Sequence, residues 1–514
     1  MQNQPEKQLS RNVPVKPPPG SGPEAMTSRL GPVDQRQTQK SWLPYAFWGG
    51  IGLALIFAIG FVLYAFFFYR PTIPADTEAD NVPVPEVVQF TDKSESNPPA
   101  ENPEPAAVQP ESAEQPAEAA EVISEEPAES GSDDSQTAPA EPETSTDQAA
   151  AVPEPPTNSG PVTMTSPDYG VHAFLYWRPE VADRDLDLIN QAGFTWVKQE
   201  FAWREIEGAE KGAFNWDNTD RMMNQIENHD LKVLARVGVQ PAWAGGDFPE
   251  IGPPDNYQDF ADFVFALATR YKGRIEAYQI WNEPNLSREW GNRPPSPAEY
   301  TELLRVAHEA VKRADPNALV ISAGLAPTTR NDAVAMPDTY FVQGMYDAGA
   351  KPYFDLLGAH GAGYKAPPEM DPGEIAKDPG FANPGDFEAG VPEELRRIYG
   401  FRHVEDLRAV MVNNNDADKK VAVLEFGWTM DPRPDSPYRW HAVSEELQGD
   451  YIARAYKYAQ ANWQPWIGVM VVIYMPNSEW TEQDEQTYWS IVVPKYPDAW
   501  PRPAYWKIKE ILNP

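Results

Sequence analysis

The sequence predicts an α/β domain folded as a (β/α)8 TIM barrel over residues 166–514, preceded by a single transmembrane helix and a disordered linker. Three observations carry this reading. After about Ser166, short β-branched or apolar runs alternate with helical patterns eight times, the count such a barrel requires. Glutamates stand where the fourth and seventh runs end, Glu283 directly before Pro284 and Glu425 two residues before Gly427. No Gly-rich phosphate turn follows an early run, as a doubly wound open sheet would carry.

Taken from the N-terminus, residues 1–41 are polar and Pro/Gln-rich without periodicity and read as a disordered cytoplasmic tail. Residues 42–70 contain an uncharged stretch of 25 residues, Tyr45–Tyr69, with Trp42, Tyr45, Phe47 and Trp48 at one end and Phe66–Tyr69 at the other. At ~1.5 Å rise per residue it crosses a hydrocarbon layer of ~30 Å, and its aromatic ends match interfacial belts. A cleavable signal peptide has a shorter apolar core and a small-residue cleavage site. This run ends in Tyr69-Arg70-Pro71, which favours an uncleaved signal-anchor. Arg29, Arg36 and Lys40 precede it and Asp76, Glu78 and Asp80 follow it. The positive-inside rule then predicts a single-pass cell-membrane protein with its N-terminus inside and the large domain extracytoplasmic.

Residues 71–165 form the predicted linker. Over 71–160 there are 21 Asp/Glu, one Lys, 16 prolines and a single aromatic, Phe90. Such a segment buries too little apolar surface to offset its ordering entropy, and its charge and prolines extend it into a spacer. The formal net charge is −35, which argues against nucleic acid as a partner. With no cysteine in the chain, disulfides and thiolate metal sites are excluded.

Within 166–514 the predicted strands are Tyr169–Tyr176, Thr195–Glu200, Lys232–Val237, Ala277–Trp281, Leu319–Ala323, Phe354–His360, Val421–Phe426 and Ile467–Tyr474. The predicted helices are Val181–Ala192, Asn218–His229, Tyr257–Tyr271, Pro297–Ala314, Asp338–Ala348, Glu393–Asn413, Ser444–Asn462 and Ala504–Leu512. The Pro/Gly-rich insertion 361–391 follows the sixth strand and is expected to shape one end of a cleft.

In this fold the C-terminal strand ends build the active site. Glu283 lies there, in Gln279-Ile280-Trp281-Asn282-Glu283-Pro284-Asn285, where Pro284 ends ladder pairing. Glu425 closes the apolar run Val421–Leu424 before Phe426-Gly427-Trp428. A carboxylate buried there needs partners or a function. Asn413–Asp418 lacks the spaced Glu and central Gly of a Ca²⁺ loop and reads as a helix-ending turn. No zinc pattern and no Gly-x-Ser-x-Gly elbow occurs, so no metal or cofactor is expected and an esterase has no nucleophile.

From Ser166 onward the chain resembles clan A glycoside hydrolases, with a flavour similar to family 39 and cellulase-like proteins. The resemblance rests on the Asn282-Glu283 pair ending the fourth strand and Glu425 ending the seventh. It implies a retaining glycosidase with Glu283 as acid/base, Glu425 as nucleophile and Asn282 set for the sugar 2-hydroxyl. It also points to His360 and Tyr364 as substrate-site residues, the tyrosine contacting the nucleophile, although the spacing here is longer than the common His-x-Tyr. A rim-packing role is the alternative for His360. Many clan members carry an Arg on the second or a neighbouring strand; here Arg236, on the third, either holds Glu425 ionised or pairs within the barrel. Trp290, Trp428 and Trp480 are candidate platforms for sugar rings, with core packing as their alternative.

The expected substrate is an extracellular or cell-envelope polysaccharide. A transglycosylase with the same covalent intermediate, or a non-catalytic carbohydrate-binding barrel, shares these features.

Overall fold

The structure, a computed structural model, describes residues 160–513. The tail, the candidate membrane span and almost all of the linker lie outside the described residues. Among the described residues, no helix is long and apolar enough to cross a membrane.

Eight parallel strands close into a barrel in sequence order. They are β1 (Asp168–His172), β2 (Trp196–Ala202), β3 (Lys232–Gly238), β4 (Ala277–Ile280), β5 (Leu319–Ile321), β6 (Leu356–Ala362), β7 (Lys420–Gly427) and β8 (Ile467–Val472). Eight main helices follow the strands: α1 (Pro179–Ala192), α2 (Asp217–Glu227), α3 (Tyr257–Arg270), α4 (Pro297–Ala314), α5 (Asp338–Asp347), α6 (Val404–Asn413), α7 (Glu445–Asn462) and α8 (Pro503–Leu512). The helix boundaries have local causes. Helix α4 begins with Pro297 behind Ser296, whose hydroxyl accepts the Glu299 N–H at 3.3 Å, and Ser444 caps α7 through the Leu447 N–H at 3.2 Å. Helix α1 stops at Gly193, whose φ of +88° closes the turn.

The core has two layers. Trp196, Leu234, Ala277, Ile321, Leu356, Ala422, Leu424, Val469 and Val471 fill the barrel interior. The outward faces of the strands pack against the helices in a larger shell. Strands buried on both sides explain why the sequence shows runs rather than alternation.

Met164, two residues ahead of the predicted start, joins the inner cluster, and its carbonyl accepts from Lys420 Nζ at 2.6 Å. One expectation needs correction. The helix predicted over 393–413 is interrupted by extended backbone at Gly400, leaving a short helix at Glu393–Arg396, two single turns and α6. A Cβ on Gly400 would approach Ile375 Cδ1 to 2.6 Å, so tight packing under the insertion takes precedence over helical continuity. The insertion itself folds, with Ala366, Ile375, Ala382, Ile398 and Tyr399 forming a satellite core. A two-stranded ribbon, β9 (Val492–Pro494) and β10 (Ala499–Pro501), was not anticipated.

Candidate active site

Glu283 follows β4 on backbone that L-residues rarely adopt, with φ +69° at Trp281 and +43° at Glu283. Hydrogen bonds hold this turn: the Trp281 N–H donates to Val237 O at 2.8 Å and the Glu283 N–H to Gly324 O at 2.9 Å. Positive φ at two non-glycine residues costs energy and persists where the surroundings over-determine it, as at functional sites. The side chain retains 15% exposure. His360 Nδ1 lies 3.1 Å from Glu283 Oε1, and Arg288 donates to Oε2 at 3.2 Å. Asn282 is buried beside it, and its side-chain oxygen accepts from Gln279 Nε2 at 3.3 Å.

Glu425 faces the same mouth because β7 breaks its register. Ala359 pairs with Val423 but His360 pairs with Glu425, so Leu424 is skipped. A bulge of this kind re-aims the next side chain. Leu424 belongs to the inner cluster, and Glu425 turns inward directly above it. Lys198 on β2 donates from Nζ to Glu425 Oε1 at 2.9 Å and to the carbonyl of the skipped Leu424 at 3.1 Å. His172, paired with Lys198 across β1 and β2, brings Nδ1 to 3.9 Å from the same carboxylate.

His360 thus connects the two glutamates, through strand register with one and a side-chain contact with the other. A Cβ on Gly324 would come within 2.1 Å of His360 Nε2, so only glycine at 324 leaves room for the imidazole.

The surrounding charges act on both carboxyls. Burial alone would raise Glu425, but the cations around it, Lys198 foremost, hold it well below the usual carboxylate range. Glu283 also feels burial and the Glu425 charge pushing it up, yet His360 and then Arg288 leave it lowered. Apart from the His360 contact, burial and Glu425 are opposed only by the guanidinium of Arg288, which is 69% exposed and correspondingly screened. Burial, followed by the charge of Lys198, pushes His172 well below its ordinary value, so it stands in the site as a neutral ring.

The remaining predicted residues divide. Arg236 pairs with Glu200 at 3.6 Å, its strand neighbour across β2 and β3, and reaches Glu425 only through its field. Trp480 stands at the rim, edge-on to Phe174 and Tyr474. Trp290 and Trp428 are corrections: both are fully buried, which leaves no ring face for a sugar. Trp428 Nε1 is spent on the Ala366 carbonyl at 3.0 Å. Tyr364 is also a correction. It packs among Tyr399, Trp440 and His441 over the insertion, and no hydrogen bond joins it to Glu425. The tyrosine near both carboxylates is Tyr474, whose hydroxyl burial, then Glu425 and Glu283, push well up.

Sequence reading passed over Lys198, His172, Arg288, Glu289 and Tyr474. Lys198 left little signal, since it opens the polar run Lys198-Gln199-Glu200 and only the structure shows that run's lysine to be wholly buried.

Residues 172–285, from the end of β1 to just past Glu283, match the β-galactosidase family 42 of glycoside hydrolases. Among solved structures, a family 39 glycoside hydrolase from the gut symbiont Bacteroides cellulosilyticus WH2 is similar at 21% identity, with a TM-score of 0.51, over 67% of this chain and 63% of its own. The chain therefore spans less than two thirds of that protein. A glucosidase from Croceicoccus marinus is similar at 14% identity over 69% of this chain and 68% of its own, with a TM-score of 0.47. No curated protein matches the chain in sequence at a significant level.

Proposed function

We propose that this chain, a clan A glycosidase by its matched family and its barrel, is a membrane-anchored retaining hydrolase of an extracellular or cell-envelope polysaccharide. The observation that carries the reading is His360, which registers with Glu425 and contacts Glu283, so that both carboxyls open on one mouth.

The chemistry needs one carboxyl ionised and the other protonated. Glu425, ionised against Lys198, attacks the anomeric carbon and forms a glycosyl-enzyme ester. Glu283, protonated, gives its proton to the departing glycosidic oxygen. It then removes a proton from the water that hydrolyses the ester, which returns both residues to their starting states. Asn282 is assigned to the sugar 2-hydroxyl. Phe174, Tyr474 and Trp480 line the rim on the β1 and β8 side, where an apolar sugar face can rest. The uncharged stretch Tyr45–Tyr69 supplies the anchor, and the acidic linker is the tether that follows it.

The test is turnover of a panel of aryl β-glycosides by the full chain, with NMR detection of the first-formed anomer. Retained configuration, lost in Glu425→Gly, supports the proposal. Glycan binding without cleavage would favour a carbohydrate-binding barrel, and inversion would remove Glu425 as nucleophile.

A further inference from the structure

Arg288 sits in the single turn Ser287–Glu289 that follows β4. It donates to Glu283 Oε2 at 3.2 Å and its Nε lies 3.7 Å from Glu289 Oε1, yet 69% of its side chain is exposed. On the glycosidase reading above, on which this inference rests, Glu283 must be protonated when it meets the glycosidic oxygen. In that state Arg288 loses its ionised partner. Its other carboxylate, Glu289, is raised chiefly by burial and stands farther off, at 3.7 Å against 3.2 Å for Glu283. Tyr438, from the loop after β7, also lies in its field, and burial followed by Glu485 pushes that phenol up to about 12. The protonation state that reacts therefore frees an exposed guanidinium from its nearest carboxylate, directly beside the acid that must meet the leaving group.

We propose that Arg288 selects a leaving-group sugar bearing a carboxylate, a uronic acid, which it binds in place of the Glu283 carboxylate. The planar fork of Arg suits a carboxylate in bidentate geometry. Exchange of one carboxylate for another also withdraws the Arg288 charge from Glu283, which favours the protonated acid at the moment it is needed. Residues 161–514 carry a formal charge of −19 and repel anions at a distance, so discrimination has to come from this contact rather than from steering.

The experiment compares matched β-linked disaccharides, identical in the glycone and carrying either glucuronic acid or glucose as the leaving group, with the full chain as enzyme. A neutral aryl glycoside of the same glycone serves as a control. Wild type should prefer the uronate by about tenfold or more in kcat/KM, as a charge-assisted contact supplies. Arg288→Gln should bring that ratio close to one, and Arg288→Lys should keep part of it. No uronate preference in wild type, or an unchanged ratio in Arg288→Gln, overturns the inference while aryl glycoside turnover leaves the glycosidase reading standing. If neither the disaccharides nor the aryl glycoside is cleaved, both fall.

Discussion

Lys198 and Glu425 meet across the barrel at 2.9 Å, with the lysine side chain wholly buried. A charge in such a place is tolerated only while its partner is present. Replacing Lys198 by Met should therefore raise the affinity of Glu425 for a proton. The acidic limb of kcat/KM should move to higher pH, because the nucleophile then stays protonated further up the scale. Lys198→Arg should restore the limb if charge is what matters. A limb that does not move in Lys198→Met would show that another cation ionises Glu425.

The two glutamates should fail differently. Glu425→Gly should reduce turnover by about four orders of magnitude or more on every substrate. Glu283→Ala should cost about 10²–10⁴-fold on natural linkages while sparing the first step on aryl glycosides with acidic leaving groups. Pre-steady-state release of the aryl group is the measurement, and a burst in Glu283→Ala but not in Glu425→Gly is the expected pattern.

Gly324→Ala places a methyl against His360 Nε2, within 2.1 Å, and should displace the ring from Glu283. His360 contributes to the lowering of Glu283, so its loss should let Glu283 hold its proton to higher pH. The basic limb of the kcat/KM profile should move up in both Gly324→Ala and His360→Ala. Opposite movement in the two variants would separate the glycine from the histidine.

One prediction concerns stability away from the mouth. His403 is buried, with Nε2 2.9 Å from Asp338 Oδ2 and Nδ1 3.0 Å from Asp406 Oδ2. Burial alone would lower its pKa, but Asp338 and Asp406 raise it to about 10. The folded value thus lies above the unfolded one of about 6.5. The stabilisation is complete below that lower value and is lost as pH rises towards about 10. Denaturant midpoints of the barrel should fall across this window, and His403→Gln should flatten the fall while destabilising by about 3–5 kcal/mol.

Much of this architecture could be read from the chain. The strand runs placed Glu283 and Glu425 at C-terminal strand ends, because a barrel strand buried on both faces must be apolar until it reaches the rim. The tryptophans show the opposite case. Trp290, Trp428 and Trp480 are alike as residue types following strands, and only packing distinguishes the two buried rings from the one at the rim.

The sequence by itself determined the eight-fold alternation and the rim position of both glutamates, since these follow from local periodicity and strand-stopping residues. The tertiary structure decided which way Glu425 points. Strict alternation with Leu424 inward would turn the next side chain out, towards the helices. A one-residue register shift between β6 and β7 turns it in instead, to meet Lys198 from the other side of the barrel. That shift is a property of two strands pairing at a distance along the chain, and neither strand's own sequence records it.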